Sequence, residues 1–401
     1  MKNIILGFLL FLSTCAFGDE TLYIVNRGQA LPKIIIKDLS HLNDTTLQKN
    51  FYNLMLNDLK VSSNFEVLTS GDEKGNYVLE YTLDQSGSSL NLNVIVRADG
   101  AEKSKRKYML TKIEQYPFLA HKGIKESVRD LGLAPVEWMD HKILIARANG
   151  SGKSQIIMAD YTLTYQTVVV SGGLNLFPKW ANKEQNAFYY TAYDHTIPTL
   201  YRYDLSANKA TRIISSTGML VASDVSQDAN KILLTMAPED QPDIHLYDLR
   251  KKTLQKITNY SGIDVGAQFI ENDKKIVFVS DRLGYPNVFL QSIGATNAQQ
   301  IIFHGKNNSS VSTYKNYLVY SSREPEQRGV FNIYLMSTGS DYIRQLTANG
   351  KNIFPRFSSD GGSIVFIKYL GSQTALGVIR VNANKSFHFP LKLGKILSID
   401  W

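Results

Sequence analysis

Leu200-Tyr201-Arg202-Tyr203-Asp204 returns 44 residues later as Ile244-His245-Leu246-Tyr247-Asp248, and in more worn form as Val288-Phe289-Leu290 and Ile333-Tyr334-Leu335. The residues closing these strands extend the series in both directions. Asp160, Asp204, Asp248, Ser292, Ser337 and Val381 are separated by 44, 44, 44, 45 and 44 residues. A second ruler uses the residues that open each unit, Trp180, Val225, Phe269, Val311, Phe357 and Trp401, with separations of 45, 44, 42, 46 and 44. Apolar strands are expected at 143–146, 188–191, 232–235, 276–280, 318–321 and 364–367, with further strands around Val169, Ile213, Ile257, Ile301 and Leu346. Four strands per unit of this length is the pattern of a β-propeller blade.

Six closing residues predict six blades. The first unit lacks an opening strand, because Trp138 stands too close to Ile143, whereas 395–401 reads as an opening strand with no blade after it. The C-terminal strand is therefore expected to complete the first blade and remove an exposed sheet edge.

Residues 19–133 read differently, as an α/β domain ahead of an all-β propeller at 134–401. Strands are expected at 21–25, 33–39 and 65–68. Behind Asn43 and Asp44, which can cap a helix, Leu47, Phe51, Leu54, Met55 and Leu59 recur at helical spacing. Tyr77, Leu79, Tyr81 and Leu83, then Leu90, Leu92, Val94 and Val96, alternate as strands do, around a loop at 85–89. Phe118, Leu119, Ile124, Val128 and Leu131 form a second helical stripe that Gly132 and Pro135 end.

The chain has 401 residues, 43% apolar and 20% charged, which suits a globular protein with a sizeable core. Its net charge of +8 is spread over 44 basic and 36 acidic side chains. The densest basic run, Lys103, Lys105, Arg106, Lys107 and Lys112, has Asp99 and Glu102 beside it and no recognition helix or aromatic nucleic-acid motif. It reads as a solvated strand and turn, and nucleic acid is not an expected partner.

Lys2 precedes an apolar run at 4–12 that is too short to span a bilayer, and Ala16-Phe17-Gly18 fits signal-peptidase cleavage before Asp19. Residues 1–18 are thus expected to be an export signal. Cys15 is the only cysteine; in Leu12-Ser13-Thr14-Cys15 a threonine stands where a lipoprotein box has Gly or Ala, so an unlipidated mature chain without thiols is expected.

Phe354-Pro355-Arg356-Phe357-Ser358-Ser359-Asp360-Gly361, followed by Ile364-Val365-Phe366, resembles the repeat of TolB-type propellers. Phe177-Pro178-Lys179-Trp180 and the stretch at 280–288 match other parts of it, and Ala181-Asn182-Lys183-Glu184 shows where the turn has decayed. With the export signal, the α/β domain and the terminal Trp401, the whole mature chain is similar to the TolB family. That resemblance implies a non-catalytic periplasmic scaffold of the Tol-Pal system, monomeric, without cofactor, and associated with membranes only through its partners. Those partners would be the lipoprotein Pal and TolA, with other outer-membrane lipoproteins and colicins as further candidates. The resemblance assigns Pal to the channel mouth, here Met219, Ala222, Asp264, Val265, Asn307, Asn308, Asn352 and Ile353. It assigns TolA to the mature N-terminus, here Asp19, Glu20, Thr21, Leu22, Tyr23, Ile24 and Val25, which also reads as a first strand.

Two other readings stay open, a periplasmic propeller for another ligand and a hydrolase-associated propeller. The second requires Gly-x-Ser-x-Gly with Asp and His beyond it, and no such pentapeptide occurs. The seven histidines never pair at metal-ligand spacing. Asn149-Gly150-Ser151-Gly152-Lys153-Ser154 imitates the end of a phosphate loop but has Arg147 where its first glycine belongs, and it reads as a hairpin loop. Asp160, Asp204 and Asp248 recur once per unit and read as turn formers.

Overall fold

The computed structural model describes residues 30–68, 75–193, 197–323 and 326–401. The expected strand at 21–25, the signal at 1–18 and the TolA segment lie outside the described residues.

The first unit runs β1 (Lys33–Asp38), α1 (Thr45–Ser62), β2 (Glu66–Leu68), β3 (Tyr77–Ser86), β4 (Ser89–Ala98), β5 (Ala101–Leu110) and α2 (Tyr116–Asp130). Asp44 caps α1, its Oδ1 accepting from Leu47 N at 2.9 Å. The α1 crossover makes β1 parallel to both β2 and β3, while β3, β4 and β5 continue antiparallel in the order β2-β1-β3-β4-β5. The expected stripe of α1 is buried with Leu79, Leu83, Leu90, Leu92 and Val96, each worth about 1.5–3 kcal/mol of transfer free energy. Gly123 lets α2 approach β4 closely, since a Cβ there would stand 3.1 Å from Leu92. The hairpin is tighter than the sequence suggested: β3 continues through Ser86 and the turn is Gly87-Ser88, with φ +59° at Gly87.

From residue 143 the regular elements among the described residues are all strands. β6 (Ile143–Ala148), β7 (Ser154–Ala159) and β8 (Gln166–Val170) form the first sheet; β9 (Asn175–Trp180), β10 (Ala187–Ala192), β11 (Thr199–Asp204) and β12 (Lys209–Ser215) the second. β13 (Leu220–Val225), β14 (Lys231–Met236), β15 (Asp243–Asp248) and β16 (Thr253–Lys256) make the third. β17 (Asp264–Ile270), β18 (Lys275–Ser280), β19 (Asn287–Ser292) and β20 (Gln299–Gln300) make the fourth. An eight-stranded sheet holds β21 (Lys306–Tyr314), β22 (Tyr317–Arg323), β23 (Phe331–Ser337) and β24 (Ile343–Gln345), then β25 (Lys351–Phe357), β26 (Ser363–Leu370), β27 (Gln373–Arg380) and β28 (Lys385–Pro390). Among the described residues its halves pair as strands only at the bridge Phe331–Lys351. β29 (Ile396–Asp400) returns to pair with β6, giving the order β29-β6-β7-β8. The inner strands β29, β9, β13, β17, β21 and β25 touch in a closed cycle, so the sheets form a ring that the C-terminal strand seals.

One sequence reading is corrected. The residue equivalent to Val225, Phe269 and Phe357 in β21 is Thr313, not Val311: it pairs with Leu318 as Phe357 pairs with Ile364. The 44-residue spacing is therefore kept up to this position, and the shortening lies in the turn that follows. The strands expected around Ile257, Ile301 and Leu346 end one residue earlier, at Lys256, Gln300 and Gln345.

The α/β unit shares one continuous core with the first and last sheets, centred on the fully buried Trp138 and Tyr161. Arg380, buried at the end of β27, donates to Ser62 O at 3.2 Å and Pro135 O at 3.2 Å. Glu137 N donates to Asp360 Oδ2 at 3.2 Å in the β25–β26 turn. All these contacts lie where the inner strands end, leaving the opposite face of the ring to the loops that precede them.

Candidate protein-binding channel

The six inner strands surround a cavity of about 270 Å³. At the position just before the opening residue the six strands carry a layer of Lys179, Asp224, Gln268, Ser312, Arg356 and Asp400, and through Lys179, Gln268 and Arg356 this layer forms the cavity floor. Backbones at a propeller axis diverge too far to pair with one another, and these side chains bridge them. Asp400 accepts from Trp180 N at 2.8 Å, Asp224 from Phe269 N at 2.9 Å and Ser312 from Phe357 N at 3.2 Å.

Charge in the floor is balanced. Lys179 Nζ lies 3.2 Å from Asp224 and 3.1 Å from Asp400, and Arg356 Nε lies 3.9 Å from Asp400. Burial works to lower the pKa of Lys179, but Asp400 and Asp224 outweigh it and the value is raised. Arg356 is lowered by burial, which the same two carboxylates only partly offset. Two cations and two carboxylates thus face one another at the junction end of the channel as a polar plug.

Above the plug the wall is largely apolar and the backbone is strained. Phe177, Ser310 and Phe354, all lining the cavity, adopt φ of 53°, 54° and 54°, where Gly266 occupies the equivalent place in β17. Left-handed backbone is unfavourable for bulky side chains, and such strain concentrates at functional sites.

Of the residues expected at the mouth, Met219, Ala222 and Val265 line the cavity. Met219 is exposed and Val265 half-buried, while Ala222 is only 4% exposed and packs into the core between the second and third sheets. Asp264, Asn308 and Asn352 are fully buried: Asp264 accepts from Arg282 at 2.9 Å, Asn308 donates to His304 O at 2.8 Å, and Asn352 donates to Phe331 O at 3.0 Å. They fasten the starts of their strands, as Asn175 does in β9, and present no surface. Asn307 and Ile353 are half-buried beside them. Sequence reasoning missed the six floor residues and the strained phenylalanines. Reading down the column before each opening residue would have found five of the six, landing on Ser310 in place of Ser312 where the opening residue was misplaced.

Around the mouth the loops expose large apolar side chains, among them Phe303 at 80%, Leu393 at 74% and Leu283 at 57%, with Ile263 and Met219 nearby. Apolar exposure gathered on one face marks an interaction surface. Among the described residues no group of three His, Cys, Asp or Glu side chains converges to hold a metal, and no helix is long and apolar enough to cross a membrane.

The fold and its closed channel define a β-propeller protein with an appended α/β unit, and residues 139–401 match the family model described as "TolB beta propeller domain". The chain is 67% identical over 402 residues to the Tol-Pal system protein TolB of Campylobacter jejuni, covering all of both chains. It is 40% identical to that of Helicobacter pylori, covering 96% of each. The crystal structure of TolB from Acinetobacter baumannii superposes with a TM-score of 0.78 at 18% identity, over 92% of this chain and 96% of that one, a likeness of fold. The chain belongs to the TolB family of the Tol-Pal system.

Proposed function

We propose that this chain is a non-catalytic periplasmic scaffold of the Tol-Pal system. The eight-stranded sheet counts as two blades, so the propeller is six-bladed and spans 134–401, behind an α/β domain at 19–133 and an export signal at 1–18. The channel mouth binds the lipoprotein Pal, and the mature N-terminus at 19–25 binds TolA. The observation that carries this reading is the mouth itself: exposed apolar loops ring a strained cavity, on the face that the α/β unit leaves free. Met219 and Val265, with Asn307 and Ile353, make the contact, while Asp264, Asn308 and Asn352 hold the loops in shape.

The test is titration calorimetry with the periplasmic domain of Pal. Met219→Glu and Val265→Glu are expected to weaken binding at least tenfold, about 1.4 kcal/mol, without lowering Tm. Ala101→Glu on β5 is the control, and unchanged binding in both mouth variants would place the site elsewhere. Deleting residues 19–23 should abolish TolA binding and leave Pal binding intact.

A further inference from the structure

β5 is the last strand of its sheet, 10 residues long, and its outer edge meets no other strand among the described residues. About half the backbone N–H and C=O groups of such a strand point away from its one neighbour and stay open to pairing. The strand is also strongly cationic. Arg106 is engaged by Asp130 of α2, Nε to Oδ2 2.6 Å. Lys105 and Lys107, opposite Ile95 and Asn93 of β4, are exposed on the other face of the sheet and make no ion pair among the described residues.

At its C-terminal end this edge opens into a groove of about 440 Å³ between α2 and the first propeller sheet, lined by Lys107, Tyr108, Phe118, Lys122, Lys142 and Tyr165 among others. The one carboxylate lining it, Asp140, is held by Lys125 at 2.6 Å. Lys142 is half-buried with no carboxylate partner among the described residues, and burial lowers its pKa. The Tyr108 hydroxyl is buried without a hydrogen-bond partner among the described residues.

We propose that the β5 edge and this groove bind an extended acidic peptide segment of a partner protein, which adds to the sheet as a further strand with carboxylates facing Lys105, Lys107 and Lys142. Strand addition takes its affinity from backbone hydrogen bonds and its selectivity from alternate side chains. Lysines along an edge repel a second copy of the same edge, and the same charges select an acidic strand. A strand that was merely guarded would need neither an unpaired cation nor an unsatisfied hydroxyl in the adjoining groove.

Fluorescence anisotropy with the full chain tests this, using a labelled ten-residue peptide of alternating Val and Glu, and one of alternating Pro and Glu with the same charge but half its backbone donors removed. The Val-Glu peptide is expected to bind at least tenfold more tightly than the Pro-Glu peptide. Lys105→Glu with Lys107→Glu should remove at least tenfold of that affinity at unchanged Tm, Lys142→Met about threefold, and Lys209→Glu on β12 none. Equal binding of the two peptides would reduce the effect to charge attraction and overturn the proposal. So would no binding, or affinity unchanged by the double substitution.

Discussion

Nδ1 of His121 on α2 lies 2.7 Å from Oδ2 of Asp58 on α1, with both side chains fully buried. Nε2 of the same ring lies 3.1 Å from Asp160, in the turn after β7, and Tyr161 donates its hydroxyl to Asp58. One imidazole thus ties both helices of the α/β unit to the first propeller sheet. Asp160 keeps its turn role as well, accepting from Thr162 N at 2.9 Å and Tyr165 N at 2.6 Å.

This linkage sets a pH dependence. Burial works to lower the pKa of His121, but Asp58 and Asp160 outweigh it and push the value up to about 10. The folded chain therefore keeps a proton that the unfolded chain releases near pH 6.5, so this stabilisation is full below that pH and is lost as pH rises toward 10. Asp58, raised chiefly by burial, acts in the same direction from its ordinary 3.8 upward. Thermal unfolding should show a lower Tm at pH 9.5 than at pH 7. His121→Gln should flatten that decline and cost about 3–5 kcal/mol at pH 7, because two buried carboxylates lose their counter-charge. An undiminished decline in the variant would locate the titration elsewhere.

Removing residues 395–401 should destabilise the ring by about 5 kcal/mol or more, since β29 takes Ile396 and Ile399 out of water and Asp400 into the channel floor. Trp401 also leaves its edge-on contact with Trp138, at 5.1 Å between centroids. Urea unfolding is the measurement, and an unchanged midpoint would contradict closure through β29.

The parts of this fold that were legible in the sequence are those that repeat. Leu47, Phe51, Leu54, Met55 and Leu59 announce α1 by period, and the 44-residue ruler announces the propeller. The ruler slipped at Val311 because Thr313 carries no bulk to mark the opening position. The His121 linkage was illegible because its partners stand 63 and 39 residues away, and Asp160 already had a sufficient explanation as a turn former. Burial of Asp264, Asn308 and Asn352 was hidden for the opposite reason: polar residues in loops read as surface unless their partners are known.

Gly266 and Ser310 occupy equivalent left-handed positions at φ 67° and 54°. A Cβ at Gly266 would meet nothing within 4 Å, so Gly266→Ala should cost about 1 kcal/mol from backbone conformation alone. Ser310→Gly should gain up to about 1 kcal/mol if loss of the side chain is neutral. Chemical denaturation of the pair would show opposite signs, and a gain from Gly266→Ala would refute the strain argument.

The channel floor yields the most demanding test. Asp400 faces Lys179 at 3.1 Å and Arg356 at 3.9 Å and accepts from Trp180 N, so Asp400→Asn keeps the shape and the acceptor but removes a buried negative charge. Lys179 would then rely on Asp224 alone, and Arg356 would lose its nearest carboxylate, at a cost of about 3 kcal/mol. Lys179→Met errs the other way, leaving two carboxylates to share Arg356. The double variant restores the balance of one cation and one carboxylate, so its cost should fall short of the sum of the single costs by at least about 1 kcal/mol. Urea midpoints at constant slope measure this coupling. Strict additivity would mean that the ring of charges acts residue by residue and not as one balanced plug.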